Sequence, residues 1–158
     1  MSDPQDNKPA PPHDLPDAGS GPVAYTTAGQ RALAPDSIAR PFGAYSHGVL
    51  TPPGMRMIRT SGQLALSKDG KVPTGVEAQA ALCLDNIAQI LVAGGMTPAH
   101  IVHLTAWVTA REHMSGYMRA RDAFLSNVPV LPASTLLIVS GFSWPEFVIE
   151  IEAMALAP

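Results

Sequence analysis

The C-terminal run FVIEIEAMA, residues 147–155, constrains the fold more than any other stretch. As a strand it sends Phe147, Ile149, Ile151 and Ala153 to one side. Val148, Glu150, Glu152 and Met154 go to the other, because side chains alternate along extended backbone. The first set demands a core, while the second places two carboxylates on a surface otherwise suited to burial. Two readings of these carboxylates are open. One is a solvated rim paired with Arg119 or Arg121. The other is the lining of an inter-subunit cleft, where a half-buried acid holds and orients a water or a proton.

The segments upstream supply the partners of such a strand. Val76, Ala80, Leu84, Ile87 and Leu91 recur at helical spacing, and Gly94-Gly95 stops the helix. Thr74 and Glu77 predict a capping box at its start. A second helix is predicted from Met114 to Leu125, with Met114, Tyr117, Met118 and Phe124 on its apolar side. QRALAP, the stretch through Tyr45 and Val49, and MRMIRTSGQLAL read as strands. So do IVHLTAWVT (101–109) and the run that LPAST opens, which ends at Ser140. The order β-β-β-α-β-α-β-β predicts an α+β layer, a mixed sheet with both helices on one face. Only 15% of residues are charged, so a neighbouring subunit is the economical cover for the other face.

At 158 residues the chain has the length of one domain. Residues 1–28 are dense in Pro, Asp, Gly and Ser, and are expected to be a disordered tail ahead of a domain at 29–158. The net charge is -3 and the 10 Lys and Arg are scattered, which argues against a nucleic-acid partner. The start MSDPQDNKPA lacks a signal peptide's basic and apolar regions, and no apolar run approaches the roughly 20 residues of a membrane span. A soluble, cytoplasmic protein with no membrane partner is expected. Cys83 reads as a small core residue. His47, His100, His103 and His113 lack HxH or HExxH spacing and His13 lies in the tail, so neither a metal nor a cofactor is expected.

Ser134, in LPAST, is the remaining candidate. A hydrolase nucleophile would need a GxSxG elbow or an evident base, and neither is present. GAYSHG, RTSGQLAL, AQAALCLDNIAQILVAGGMTPAHIVHLTAWV, LPAS and VIEIEAMA, in this order, resemble the RidA (YjgF) family of enamine/imine deaminases across residues 29–158. The resemblance implies a chorismate-mutase-like α+β fold, a homotrimer and ligand clefts at the subunit interfaces. It implies that Ser134 replaces the arginine with which deaminating members grip a substrate carboxylate; a hydroxyl cannot make that bidentate, charge-assisted fork. Met118 and Leu136 stand where the family often has an asparagine-like residue and a cysteine, which makes the pocket more apolar. Tyr45 matches an aromatic that packs over the ligand, and Ser61 and Gly62 a segment whose backbone lines the cleft. Glu150 matches the acid that orients the attacking water. The implied function is deamination of a small, more apolar imine or enamine. The alternative is a non-catalytic member that binds a small metabolite or has a regulatory role. RNA cleavage, sometimes ascribed to the family, is disfavoured by the acidic balance and the lack of a basic groove.

Overall fold

The alternation of the C-terminal run is realised in the last and longest strand, β7 (Ile149–Ala157). In the computed structural model, which describes residues 30–33, 35–41 and 43–158, β7 lies at the centre of a mixed sheet. The predicted tail at 1–28 lies outside the described residues. The sheet contains β3 (Arg56–Arg59), β4 (Gln63–Leu64), β5 (Ile101–Val108) and β6 (Ala133–Ile138), with β3 and β4 both on one edge of β7. Its order is β3-β7-β5-β6; β5 and β6 are parallel and the other pairs antiparallel. β1 (Arg31–Leu33) and β2 (Gly48–Leu50) form a separate antiparallel pair.

On β7, Ile149, Ile151, Ala153, Ala155 and Ala157 are buried, whereas Glu150, Glu152, Met154 and Leu156 are half-buried on the opposite face. β5 repeats the pattern, with Leu104, Ala106 and Val108 buried and His103, Thr105 and Trp107 half-buried. The buried face packs against α1 (Val76–Ala93) and α2 (Met114–Phe124), and the core joins Ala80, Leu84, Ile87, Leu91 and Tyr117 to those strand residues. Cys83 is in the same cluster, fully buried. The α+β layer with both helices on one face is therefore the observed architecture. With 18 residues and a mean hydropathy of 1.3, α1 has the length and composition of a membrane span, contrary to expectation, but its apolar stripe is spent on this core.

Three local expectations need correcting. The Thr74–Glu77 capping box does not form: Gly75, at φ 85°, is the N-cap, and no side chain caps it. This left-handed glycine starts the helix one residue later, so Thr74 falls outside the cap, and Glu77 pairs instead with Arg119 of α2 at 2.7 Å. The single strand expected over 55–66 is interrupted. Arg59 pairs with Met154 and Gln63 with Ile151, so Thr60, Ser61 and Gly62 face only two residues of β7. This is a β-bulge, and bulges cluster beside functional sites. Lastly, the strand expected through Tyr45 begins only at Gly48. The Ser46 amide donates to the Pro132 carbonyl at 2.9 Å and its hydroxyl to the Leu131 carbonyl, drawing the segment to the edge of β6.

Candidate functional site

The bulge brings together three of the residues singled out by sequence. β4 pairs with β7 so that Leu64 lies opposite Glu150, and Gly62, two residues earlier, shares its face. The Glu150 carboxylate lies directly over Gly62: a Cβ added there would come within 1.7 Å of Glu150 Oε1. Any side chain at 62 would have to displace that carboxylate, and Ser61 is exposed beside it. Glu150 has no ion-pair partner among the described residues. The rim pairing with Arg119 or Arg121, one of the two readings left open by the sequence, is not made, because α2 packs on the other face of the sheet. Arg119 is held by Glu77 and Arg121 by Asp122, while Glu152 lies 3.7 Å from Arg59. A half-buried carboxylate with no cation beside it can accept a proton or hold a water.

A second group forms at the far edge of the sheet. Ser46 bridges to Ala133, which sets Tyr45 beside the start of β6. Ser134 is paired with Leu104 and shares its core-facing side, where its Oγ is buried without a hydrogen-bond partner. The residue that meets it from α2 is Tyr117, fully buried, its hydroxyl likewise lacking a hydrogen bond of normal geometry. Burial raises the Tyr117 pKa, and the nearness of the Ser134 hydroxyl and of Arg121 holds the rise back; Asp122 adds slightly to it. Arg121 is itself buried, with its Cζ 5.6 Å from the Tyr117 ring centre. Met118 and Leu136 are partly buried and pack against the core.

The described chain therefore divides the predicted residues into two half-sites. Ser61, Gly62 and Glu150 lie at the β4–β7 edge; Tyr45 and Ser134 lie at the β6 edge. Two strand spacings of about 4.8 Å separate β7 from β6, and Glu150 and Ser134 face opposite sides of the sheet. The cavity of about 170 Å³ on the open face, lined by Arg59, His103, Thr105 and Glu152, includes none of them. Sequence reading passed over Tyr117 as a core aromatic and Arg121 as a rim cation. The available signal was their spacing: four residues apart on a helix, they share the buried stripe with Gly116 and Ala120.

This architecture, a mixed sheet with two helices on one face and an acid over a bulge glycine, defines a small α+β protein of the Rid type. The chain belongs to the family described as endoribonuclease L-PSP, whose pattern matches residues 28–157, and it is a member of the RidA (YjgF) family. It is 32% identical over 127 residues to the 2-iminobutanoate/2-iminopropanoate deaminase of Escherichia coli, covering 79% of this chain and 96% of that protein. The crystal structure of the Rid-family protein YyfB from Yersinia pestis superposes with a TM-score of 0.71 at 27% identity, over 80% of this chain and 97% of that one. The YjgF gene product of E. coli superposes at 0.60 with 31% identity, over 80% and 98%.

Proposed function

We propose that this protein hydrolyses the carbon–nitrogen bond of an imine or enamine, with its water activated by Glu150. The observation that carries the reading is the Glu150 carboxylate lodged over Gly62 at the bulge, with no cation among the described residues to neutralise it. The kinship with a protein named an imine deaminase supplies the reaction class. Glu150 accepts a proton from water as the oxygen adds to the iminium carbon. The same proton then goes to the departing nitrogen. As the C–N bond breaks, Glu150 takes the remaining hydroxyl proton and passes it to the ammonia, so that a carbonyl compound and ammonium are released. One carboxylate accepting and returning protons in this way needs no cofactor.

The two half-sites lie too far apart to hold one small molecule within a subunit. We place the reaction in clefts of a homotrimer, where the Glu150 edge of one subunit meets the Tyr45 edge of the next. Ser134, with Met118 and Leu136 nearby, gives that cleft an apolar wall suited to a larger aliphatic or aromatic body than the simplest imino acids carry. RNA as substrate is disfavoured: Arg59, Lys71, Arg119 and Arg121 are each matched to a carboxylate, and the chain carries a net charge of -3.

The test uses imines generated in situ by an L-amino-acid oxidase from alanine, leucine and phenylalanine. The wild type is expected to accelerate ammonia release most for the larger two, and Glu150→Gln to lower the rate about 100-fold. No acceleration over buffer with any of the three would move the protein to the non-catalytic, metabolite-binding class.

A further inference from the structure

Strand pairing sets an aromatic ring beside the Glu150 carboxylate on the open face of the sheet. Trp107 of β5 is the direct cross-strand partner of Glu150 on β7, and Leu137 of β6 is the partner of Trp107 on its other side. With Leu64 opposite Glu150 on β4, one row crosses the sheet: Leu64, Glu150, Trp107, Leu137. Directly opposed residues carry their side chains about 5 Å apart on a common face, so indole and carboxylate border one space. Trp107 is only half-buried and Leu137 is exposed, which leaves that space open to a ligand.

The potential there is of one sign. An indole carries negative potential on its faces and holds a cation more strongly than any other side-chain ring. Glu150 adds a full negative charge, and no cation among the described residues answers either group. The cation–π contact of Arg121 with Tyr117 lies on the core side of the sheet. On the open face, Arg59 is 3.7 Å from Glu152. His103, whose Nε2 is 3.2 Å from Thr135 Oγ1, stands about 13 Å back along β5. Leu64 and Leu137 wall the row with apolar surface, and a cation–π contact strengthens as its partners lose water. A carboxylate and an indole side by side, unneutralised and flanked by leucines, make a receptor for a small, flat cation.

We infer that Trp107 and Glu150 together bind the iminium nitrogen of the substrate, with the indole against the plane of the C=N unit. The inference rests on the reading that the protein hydrolyses imines at Glu150. It narrows the reacting species to the protonated imine, whose positive charge is spread over a planar carbon–nitrogen unit. Protonation also makes that carbon the better electrophile for the water at Glu150. The carbonyl product is neutral, loses the attraction to both groups and is free to leave. Trp107 therefore favours the charged substrate over the product made from it.

Binding to the full-length protein is measured by calorimetry at neutral pH with isobutyramidine, which is a cation there, and isobutyramide, its neutral isostere. The wild type should hold the amidine at least about tenfold more tightly. Trp107→Leu, which keeps the row apolar, should reduce that preference about fivefold, whereas Trp107→Phe should retain most of it. Equal binding of the two compounds by the wild type, or a preference that survives Trp107→Leu in full, overturns the inference. Should Trp107→Leu fail to fold, fluorescence decides. Trp144→Phe leaves Trp107 as the only tryptophan and keeps an aromatic ring against Phe147, on which Trp144 stacks at 5.2 Å. Its emission should change as the amidine saturates the site; an unchanged emission at saturation overturns the inference. The proposed reaction fails separately. A protein that prefers the amidine yet hydrolyses no imine keeps the cation subsite and loses the hydrolase; one that hydrolyses imines without preferring the amidine does the reverse.

Discussion

Gly62 carries no side chain where Glu150 needs the room, and this pair shows how single residues divide stability from function. An alanine at 62 would put its Cβ 1.7 Å from Glu150 Oε1, but the obstructing atoms belong to a half-buried, flexible side chain. Gly62→Ala is therefore expected to move the carboxylate rather than unfold the chain. Imine hydrolysis should fall at least about tenfold while stability changes by less than about 1 kcal/mol. In a Glu150→Gln background the same change should have no further effect on rate; additive losses in the double mutant would show that the two residues act separately. Cys83 makes the opposite case. Burial, with the Glu150 charge adding to it, pushes its thiol from 9.0 up to about 12. The unfolded thiol ionises first, so the contribution to stability is intact below pH 9 and is lost between pH 9 and about 12. Urea denaturation at pH 8 and pH 10.5 should show a smaller alkaline loss in Cys83→Ala than in the wild type. Equal losses would mean that other groups govern the decline.

Among the elements, whatever depended on periodicity was legible. The stripe Ala80, Leu84, Ile87, Leu91 and the alternation of β7 are local patterns, and each burial assignment along them is realised. What depended on distant contact was not. The bulge at 60–62 arises from pairing with residues some 90 positions away. Its closure by Thr60, whose Oγ1 accepts from the Ala153 amide at 2.9 Å, has no local signature. The cap of α1 was misread because Thr74 and Glu77 match a pattern that one left-handed glycine displaces. Arg121 was hidden by its charge, since a cation on a short helix reads as surface until its neighbours are known. Helix packing offers its own test at Gly116, where α2 crosses α1. A Cβ there would come within 2.5 Å of Val76 Cγ1, and a β-branched side chain in a helix cannot swing aside. Gly116→Ala should cost about 1–3 kcal/mol in chemical denaturation, and Val76→Ala should relieve most of the strain. A Gly116→Ala protein as stable as the wild type would mean that the helices slide apart freely.

For the whole molecule, the decisive feature is the distribution of the candidate residues over two edges and two faces of one sheet. Glu150 and Gly62 belong to the β4–β7 edge, Tyr45 and Ser134 to the β6 edge, and the open face between them carries Trp107, Glu152 and the exposed Leu137. Composition hinted at this shortage of cover, since a chain with few charges leaves a half-apolar sheet face to fill. How far apart the two groups lie could be known only once the strand order was known. On the proposed function, a catalytic cleft assembled from them draws on two subunits, and oligomer and activity become one property. The direct measurement is subunit mixing. Glu150→Gln and Tyr45→Ala, each expected to be inactive alone, are combined in equal amounts, unfolded, refolded together and assayed for imine hydrolysis. If each cleft takes Glu150 from one subunit and Tyr45 from its neighbour, about one cleft in four has both residues intact, and roughly a quarter of wild-type activity should return. Activity no higher than that of the separate mutants, in a mixture shown by sedimentation to contain mixed trimers, would place both residues in one subunit's cleft and contradict the shared site.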